Sequence, residues 1–456
     1  MSGVRQCWIP MLAAIFLNAQ AYAGEIRNLT LEEAVQLAIS QNHALKIARL
    51  KVKEAEQRKA EQRSSYFPVL TDHALADENT GLEHVAIPAG ALGTLNGTLV
   101  PYKNINLPQG QKNLLFNQAT VSQPLTQLIR VHQANLIAAA ETLISRDELK
   151  KAENQVALDV HNLYFGILIA RLQKRAAEQQ TTYAAEQLRE SEDDVRAGNA
   201  LRLATMEGQA GLLEGRQSVL TSDLQLTDLN TEFDNLLGLP LDTQLDLNPT
   251  VPTAPELRPK EEYLKNAWDQ NPDISAAGDT VRKARAAVAV AKTAYIPDVS
   301  AYFTNSWQDG VSFLVRNFST VGAQLNWEVL DFGKRRATVR ERESQLAQAE
   351  ENLRRLKDDV ATEIERSYDK LVRTKSLIEV AEQVASLRQE SERLAQNQLT
   401  QGVVTISDRR RASSATYKSR ADLLQAKLNY LVAWAELQRT IGQTPALKEN
   451  SGGGNQ

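Results

Sequence analysis

The sequence lacks four features, and each absence excludes a class of protein or of site. Its 456 residues include one cysteine, Cys7, so a disulfide-stapled scaffold is excluded. After residue 23 there is no run of about 18 apolar residues, so no transmembrane helix is expected, and a membrane-spanning chain would have to use strands. The five histidines show no paired ligand spacing. No phosphate-binding loop or nucleophile elbow occurs either, so we expect no metal, no cofactor and no catalytic residue.

The beginning of the chain predicts export. Residues 1–23 carry Arg5, a short apolar run and Ala21-Tyr22-Ala23, which together predict a cleaved secretory signal. Cys7 precedes the apolar run, so it is not placed to receive a lipid. The net charge of −4 gives no indication of a nucleic-acid partner. We therefore expect a bacterial envelope protein that is not lipidated.

Within residues 321–402 the spacing of apolar residues changes from that of a strand to that of a helix. Apolar residues alternate with small or polar ones from 321 to 329, which predicts a two-faced strand. The apolar positions are Val321, Ala323, Leu325, Trp327 and Val329. After Asp331-Phe332-Gly333 the apolar spacing becomes helical, and no proline occurs between 334 and 402. A helix of roughly 65 residues is about 100 Å long, which predicts a coiled-coil-like rod.

Matching landmarks indicate an internal duplication. The pairs Gln41/Gln270 and Tyr66/Tyr295 share an offset of 229 residues, whereas Gly198/Gly402 and Gly238/Gly442 share an offset of 204. The difference falls between them, where residues 77–113 form a glycine- and proline-rich loop and the matching segment, 308–315, is much shorter. We expect the longer loop to be irregular.

The duplication predicts the domain organisation. Residues 24–240 and 259–442 would each read helix, strand, loop, strand, very long helix and return helix. In the first repeat the long helix is expected over 127–197, and the return helix is expected to stop at Gly238, which Pro240 follows closely. In the second repeat the return helix is expected over 406–440. Thr30 and Glu33 have the spacing of a helix-capping box. The proline-rich segment 241–258 would link the repeats, and residues 443–456 would be a disordered tail.

These landmarks resemble the TolC-like outer-membrane efflux proteins. The resemblance covers nearly the whole chain after the signal and rests on the order of these segments: Leu29-Thr30-Leu31-Glu32-Glu33-Ala34, Tyr66-Phe67-Pro68, Ser122-Gln123-Pro124-Leu125, Tyr295-Ile296-Pro297, Leu330-Asp331-Phe332-Gly333 and the glycine turns. It implies a mainly α fold with a β-barrel portion. Long antiparallel helices would form a periplasmic α-barrel, and four strands per chain would contribute to a trimeric twelve-stranded barrel in the outer membrane.

The same resemblance implies a function and partners. The chain would be a homotrimeric exit duct of a tripartite efflux pump or of type I secretion, in contact with outer-membrane lipid. Its protein partners would be a periplasmic adaptor and an inner-membrane transporter, and transport through it would be passive. The turns at Gly198-Asn199 and Gly402-Val403 are the expected adaptor-docking tips.

The channel mouth is expected beyond the second glycine turn. Asp408 occupies the first acid position of the family's tip, whereas Arg411 replaces the second, and Glu207 lies near the matching place in the first repeat. Three copies of Asp408 would favour cations. Two alternatives stay open: Arg411 pairs with Asp408 and cancels its field, or Asp408 only stabilises a helix start. The tyrosine and arginine of the family's gate are replaced here by Leu399 and Val404.

Two other classes of protein are weighed against the channel. A soluble periplasmic coiled-coil adaptor or scaffold would share the export signal and the long helices, but it would not need alternating strands. An envelope hydrolase would need a catalytic site, and the sequence offers none. The channel is therefore the prediction.

Overall fold

A computed structural model describes residues 27–108, 110–241, 243–250, 252, 255–311 and 314–445. The predicted signal, residues 1–23, and residues 446–456 of the predicted tail lie outside this range. The chain divides into two compact units. The first contains Met1–Ile47, Lys150–Asn271 and Asp359–Gln456, and the second contains Ala48–Leu149 and Pro272–Asp358.

Eight helices account for most of the described residues. They are α1 Leu31–Gln41, α2 His43–Ser64, α3 Leu128–Arg196, α4 Arg202–Leu237, α5 Lys260–Gln270, α6 Pro272–Thr293, α7 Lys334–Thr400 and α8 Ile406–Ile441. The predicted long helices are confirmed, since α3 has 69 residues and α7 has 67. Neither contains a proline, so no backbone hydrogen bond is lost along them. Among the helices of the described residues, α6 alone contains a proline, Pro272 at its first position, where a helix tolerates it.

Ten strands form four small sheets. They are β1 Arg27–Leu29, β2 Val69–Glu78, β3 His84–Ile87, β4 Thr94–Leu95, β5 Thr98–Leu99, β6 Ile105–Pro108, β7 Asn113–Pro124, β8 Leu245–Leu247, β9 Asp298–Asp309 and β10 Asn317–Asn326. The largest sheet is antiparallel in the order β10-β9-β7-β2 and lies in the second unit. Strand β1 pairs in parallel with β8 in the first unit.

The structure corrects two expectations about strands and adds one strand that was not expected. Strand β10 ends at Asn326, so Trp327 and Val329 lie beyond it. Asn326 pairs with Asp298, the first residue of β9, and Pro297 before it has no N–H group with which to extend the ladder. The loop 77–113 is not irregular, because it contains β3–β6. The linker 241–258 also contains a strand, β8.

Helix ends follow the sequence signals closely. Thr30 and Glu33 form the predicted capping box, with the Glu33 N–H donating to Thr30 Oγ1 over 3.3 Å. Gly238 and Gly442 end α4 and α8 in the left-handed conformation, as predicted for Gly238 from the proline that follows. At each glycine two backbone N–H groups bond back to the last turn, so the final carbonyls of the helix are satisfied.

Each of these two glycines contacts a Gln-Asn pair. Gln41-Asn42 lies at Gly238, and Gln270-Asn271 lies at Gly442. Asn42 Nδ2 donates to Leu236 O over 3.0 Å, and Asn271 Nδ2 donates to Thr440 O over 2.7 Å. A Cβ placed on Gly442 would lie 2.3 Å from Gln270 O. Glycine is therefore needed at position 442, because a side chain there would block the approach of the Gln270 backbone to the end of α8. The duplication itself stays a prediction, although both halves use this arrangement.

An aromatic cluster forms the core of the first unit. Tyr164, Phe165 and Phe233 are buried and meet edge to face at ring-centroid distances of 5.8 and 6.3 Å. The Tyr164 hydroxyl group is 3.1 Å from Leu29 O and 3.0 Å from Asn248 O. The cluster thus attaches the β1–β8 pair to the middle of α3.

Candidate functional site

The two helical hairpins of the first unit turn at the predicted glycines. Gly198 and Gly402 both have positive φ, +80° and +70°, and a Cβ at either would meet no atom within 4 Å. Asn199 N donates to Asp194 O and Val403 N donates to Gln398 O, which closes the last turns of α3 and α7. Beyond the first glycine, Leu201 is 79% exposed. Both turns therefore have a hydrogen-bonded backbone and an exposed apolar side chain, which at the second turn is Val403.

Helix α8 begins with a second capping box, and Asp408 is part of it. Asp408 N donates to Thr405 Oγ1 over 3.1 Å, and Asp408 Oδ2 accepts from Thr405 N over 3.3 Å. The Asp408 carboxylate therefore stabilises the start of the helix, where a negative charge is favourable. The sequence contained this signal, since Thr405 and Asp408 have capping-box spacing.

Arg411 contacts both Asp408 and a tyrosine on α3. Its Nη1 lies 3.9 Å from Asp408 Oδ1, at the long end of an ion pair between exposed groups. Its Nε donates to the Tyr183 hydroxyl oxygen over 3.1 Å, and the guanidinium carbon is 5.8 Å from the centroid of the Tyr183 ring. The hydrogen bond to Tyr183 raises the pKa of Arg411 further above its usual value. The better-formed contact of Arg411 is thus with α3.

Two more hydrogen bonds join α8 to α3 near the turns. Ser407 N donates to Glu190 Oε1 over 2.8 Å, and Ser414 Oγ donates to Gln180 Oε1 over 2.6 Å. Sequence reasoning missed Tyr183, Glu190 and Gln180, because nothing local marks a residue whose partner is more than two hundred positions away. Glu207, expected at the mouth, lies on α4 and is exposed.

Helices α3, α4, α7 and α8 form a row in the first unit. Helix α3 contacts α4 through Lys174 and Asp223 and contacts α8 as described, while α8 contacts α7 through Lys427 and Glu382. The row is therefore α4-α3-α8-α7. Each outer helix has exposed apolar residues at heptad-like spacing: Met206, Leu213, Leu220 and Leu224 on α4, and Leu377, Val380, Val384, Leu387 and Leu394 on α7.

The large sheet of the second unit has two different faces. Antiparallel partners share a face, so the register places Val321 with Phe303 and Val121, Ala323 with Ala301, and Leu325 with Val299. Val321 is 80% exposed. The opposite face is polar and more buried in its centre, where Thr120 Oγ1 lies 3.1 Å from Thr304 Oγ1 beside Ser306 and Gln308. The two edge strands, β2 and β10, each pair on one side only.

The Asp331-Phe332-Gly333 segment is a turn between strand and helix. Asp331 Oδ2 accepts hydrogen bonds from Arg335 N and Nε over 2.9 and 2.8 Å, and Asp331 Oδ1 accepts from Gly333 N. These bonds lower the pKa of Asp331, with the Arg335 N–H as the largest cause. Phe332 is exposed and has φ +48°. The segment is therefore a structural turn at the start of α7.

The described residues contain neither a cluster of metal ligands nor a helix that could cross a membrane. Within them, no group of three or more His, Cys, Asp or Glu side chains is arranged to hold a metal ion. No helix in the same residues combines the length and apolar character that a membrane crossing requires.

The sequence is similar to that of known outer-membrane and secretion proteins. Residues 263–443 match the family described as outer membrane efflux protein. Over 313 residues the chain is 24% identical to the alkaline protease secretion protein AprF of Pseudomonas aeruginosa, covering 66% of this chain and 64% of AprF. It is 25% identical over 182 residues to the outer membrane efflux protein BepC of Brucella suis, covering 40% of each.

A solved structure extends the likeness of fold to most of the chain. The Campylobacter jejuni CmeC outer membrane channel superposes with a TM-score of 0.73 at 15% identity, covering 92% of this chain and 87% of that one. At this identity the likeness concerns the fold alone. The fold is that of the outer-membrane channels, with long helices and a small number of strands.

Proposed function

We propose that this chain is a member of the outer membrane efflux protein family and is the outer-membrane exit duct of a tripartite efflux pump or a type I secretion system. The chief support is the four-stranded sheet, in which Val321, Ala323 and Leu325 with their partners form an apolar patch on one face, whereas the centre of the other face is polar. Strands β7 and β10 are followed in the chain by α3 and α7. The matched segment spans 64% of AprF and 40% of BepC, so activity, cargo and partners are proposals. The family is one of transport proteins, and we propose that the duct has no enzymatic activity.

The duct is a homotrimer. Four strands cannot close a barrel, because small barrels need about eight, and β2 and β10 leave their outer edges unpaired. Three copies would give twelve strands and remove all of these edges. The exposed apolar residues on α4 and α7 support the same assembly, since helix α4 of one copy can bury them against α7 of the next.

The apolar face of the sheet contacts outer-membrane lipid. Its centre is formed by Val321, Ala323 and Leu325 with their partners on β9, while Trp327 and Val329 continue the apolar surface beyond the strand. Alternation of apolar and polar side chains is the pattern of a barrel with lipid outside and water inside. The helices lie in the periplasm.

Residues 24–240 and 259–442 are proposed to be two copies of one unit, linked by 241–258. Their turns, Gly198-Asn199 and Gly402-Val403, are the proposed docking tips for a periplasmic adaptor, which in turn binds an inner-membrane transporter. Leu201 and Val403 are exposed there, and an exposed turn with apolar side chains is a suitable place for a partner to bind. Duct and pump together would move the cargo, with the energy supplied by the transporter.

The mouth is proposed to have weak charge selectivity. Asp408, Arg411 and Glu207 are its candidate residues, but Asp408 is engaged at the start of α8 and Arg411 is close to it. Asp408→Asn should lower cation preference only slightly, whereas Arg411→Asp should raise it. The reversal potential in a planar bilayer under a salt gradient measures both changes. An unchanged potential for Arg411→Asp would mean that this position does not face the lumen.

Fractionation and conductance test the proposal as a whole. A duct is recovered from the outer membrane with detergent, has the mass of a trimer and conducts ions in a planar bilayer. A coiled-coil adaptor or scaffold is instead recovered in the soluble periplasmic fraction and conducts nothing. Recovery of the protein there would refute the proposal.

A further inference from the structure

The long loop between β2 and β7 contains a folded arm, residues 84–108. Strands β3 and β6 pair at its base, and β4 and β5 pair at its tip around Asn96-Gly97. Both of these turn residues have positive φ, 52° and 79°, as a tight two-residue hairpin requires. Between the two ladders Leu92 N donates to Val100 O over 2.9 Å. The arm is thus held by its own hydrogen bonds along its length.

The surface of the arm is apolar and almost uncharged. Its exposed large apolar residues are Val85, Leu92, Leu95, Leu99, Tyr102 and Ile105, and Leu95 is 70% exposed. Lys103 is the one charged residue among positions 84–108, in a chain that is 24% charged overall. The Lys103 Nζ lies 5.5 Å from the centroid of the Tyr102 ring. Contiguous exposed apolar surface of this kind marks an interaction site.

The composition of the arm favours a second copy of itself as the partner. Identical surfaces that carry charges of one sign repel each other, and this surface has almost no charge to repel. It also lacks the clustered cations that bind the phosphates of a lipid headgroup. The arm begins at the end of β2, the edge strand at which the proposed trimer is joined, so neighbouring arms start from one rim.

The length of the arm allows its copies to meet. Twelve strands about 4.8 Å apart and tilted by about 40° close a barrel with a radius of about 12 Å. From residue 84 to the turn at 96 an extended chain reaches at most about 40 Å. Each tip can therefore reach the axis of the barrel.

We infer that the arms of three copies pack against one another through Leu92, Leu95 and Leu99 and cover the outer mouth of the barrel. Leu95 and Leu99 lie on opposite faces of the β4–β5 hairpin, so each contacts a different one of the two neighbouring arms. This inference rests on the proposed function, because it needs the trimer. The cover restricts the exit of the duct at the end opposite to the helices. It is held by apolar contact, so its strength should not depend on salt.

Cross-linking in the full-length protein tests the inference. Cys7→Ser gives a chain without cysteine, in which Leu95→Cys introduces a single thiol at the tip and Glu83→Cys introduces one at the exposed base as a matched control. We expect a short bis-maleimide to convert Leu95→Cys into dimers, up to two thirds of the chains, because one linker joins two of three thiols. Glu83→Cys should stay monomeric on a denaturing gel.

The same samples separate this inference from the proposed function. A sample that is not trimeric or conducts no current overturns both. A conducting trimer in which Leu95→Cys cross-links no better than Glu83→Cys overturns the arm contact alone. Quenching of a fluorophore on Cys-labelled position 95 by brominated lipid, without cross-linking, would place the arms in the membrane and overturn it as well.

A second variant measures the effect on conduction. Leu92→Ser, Leu95→Ser and Leu99→Ser combined leave the backbone ladder intact and remove the apolar contact. We expect the single-channel current to rise about twofold or more, because a constriction limits conduction. An unchanged current would show that the arms do not cover the mouth.

Discussion

The glycines that end the long helices provide a graded test of the packing. Gly402 and Gly442 share the left-handed conformation, at φ +70° and +92°, but their surroundings differ. A methyl group at Gly402 would meet nothing within 4 Å, whereas at Gly442 it would lie 2.3 Å from Gln270 O. The obstacle at Gly442 is backbone, which cannot rotate away as a side chain can.

Gly402→Ala should lower the free energy of unfolding by about 1 kcal/mol, because alanine is strained in the left-handed conformation and meets no other obstacle there. Gly442→Ala should lower the free energy of unfolding by the same amount and by roughly a further 1–3 kcal/mol, because the neighbouring backbone has to move. Gly238→Ala should lie between them, because its methyl group would be 3.1 Å from Gln41 O.

Thermal melting of the purified protein followed by circular dichroism measures the series. For a unit of this size each kcal/mol lowers the melting temperature by about 2–4 °C, so Gly442→Ala should melt roughly 2–12 °C below Gly402→Ala. The order of the three variants is the decisive result. If Gly442→Ala and Gly402→Ala melt together, the contact with Gln270 does not constrain the glycine and the reasoning fails.

Three further changes can be tested with the same assay. Asn271→Ala should cost about 1–3 kcal/mol, since it leaves the Thr440 carbonyl group without this buried donor; a shift no larger than that of an exposed alanine substitution would contradict this. Thr405→Ala should cost about 0.5–2 kcal/mol by removing the cap of α8, and Thr405→Ser should restore most of the loss. Burial lowers the pKa of His161, although its hydrogen bond to Ala157 O opposes this, so stability should be lost as the pH falls below the ordinary value of 6.5. His161→Gln should reduce that loss, and an unaltered pH dependence would exclude His161 as its source.

The parts of the fold that could be predicted are those with a local physical signal. The glycine that ends α4, the Thr30 cap and the length of α7 each follow from neighbouring residues, and all are confirmed. Strand β8 has three residues, which is too short for alternation to be recognised. The hairpin of β4 and β5 did have a signal, Asn96-Gly97, but the surrounding glycines and prolines favoured an irregular loop.

In the candidate site, too, the features with a local sequence signal could be predicted and the others could not. The turn at Gly402 was expected from its match with Gly198. The closeness of Arg411 to Asp408 was one of the two alternatives that the sequence left open. Tyr183 was not, because its contact with Arg411 depends on how α3 and α8 pack, and side-chain pairing between distant segments has no pattern in a single sequence. The engagement of Asp408 in the helix cap was one of two open readings, and the hydrogen bonds with Thr405 support it.

The parallel pair of β1 and β8 sets an order for folding. Leu29 pairs with Leu247, roughly 220 residues later, so in a chain that is exported from its beginning the first strand crosses the inner membrane long before its partner does. During that time the earliest strand has no partner, and the Tyr164 hydroxyl group lacks one of the two carbonyl groups that it contacts. A factor that protects unfolded segments should therefore hold the start of this chain longest, until the linker arrives.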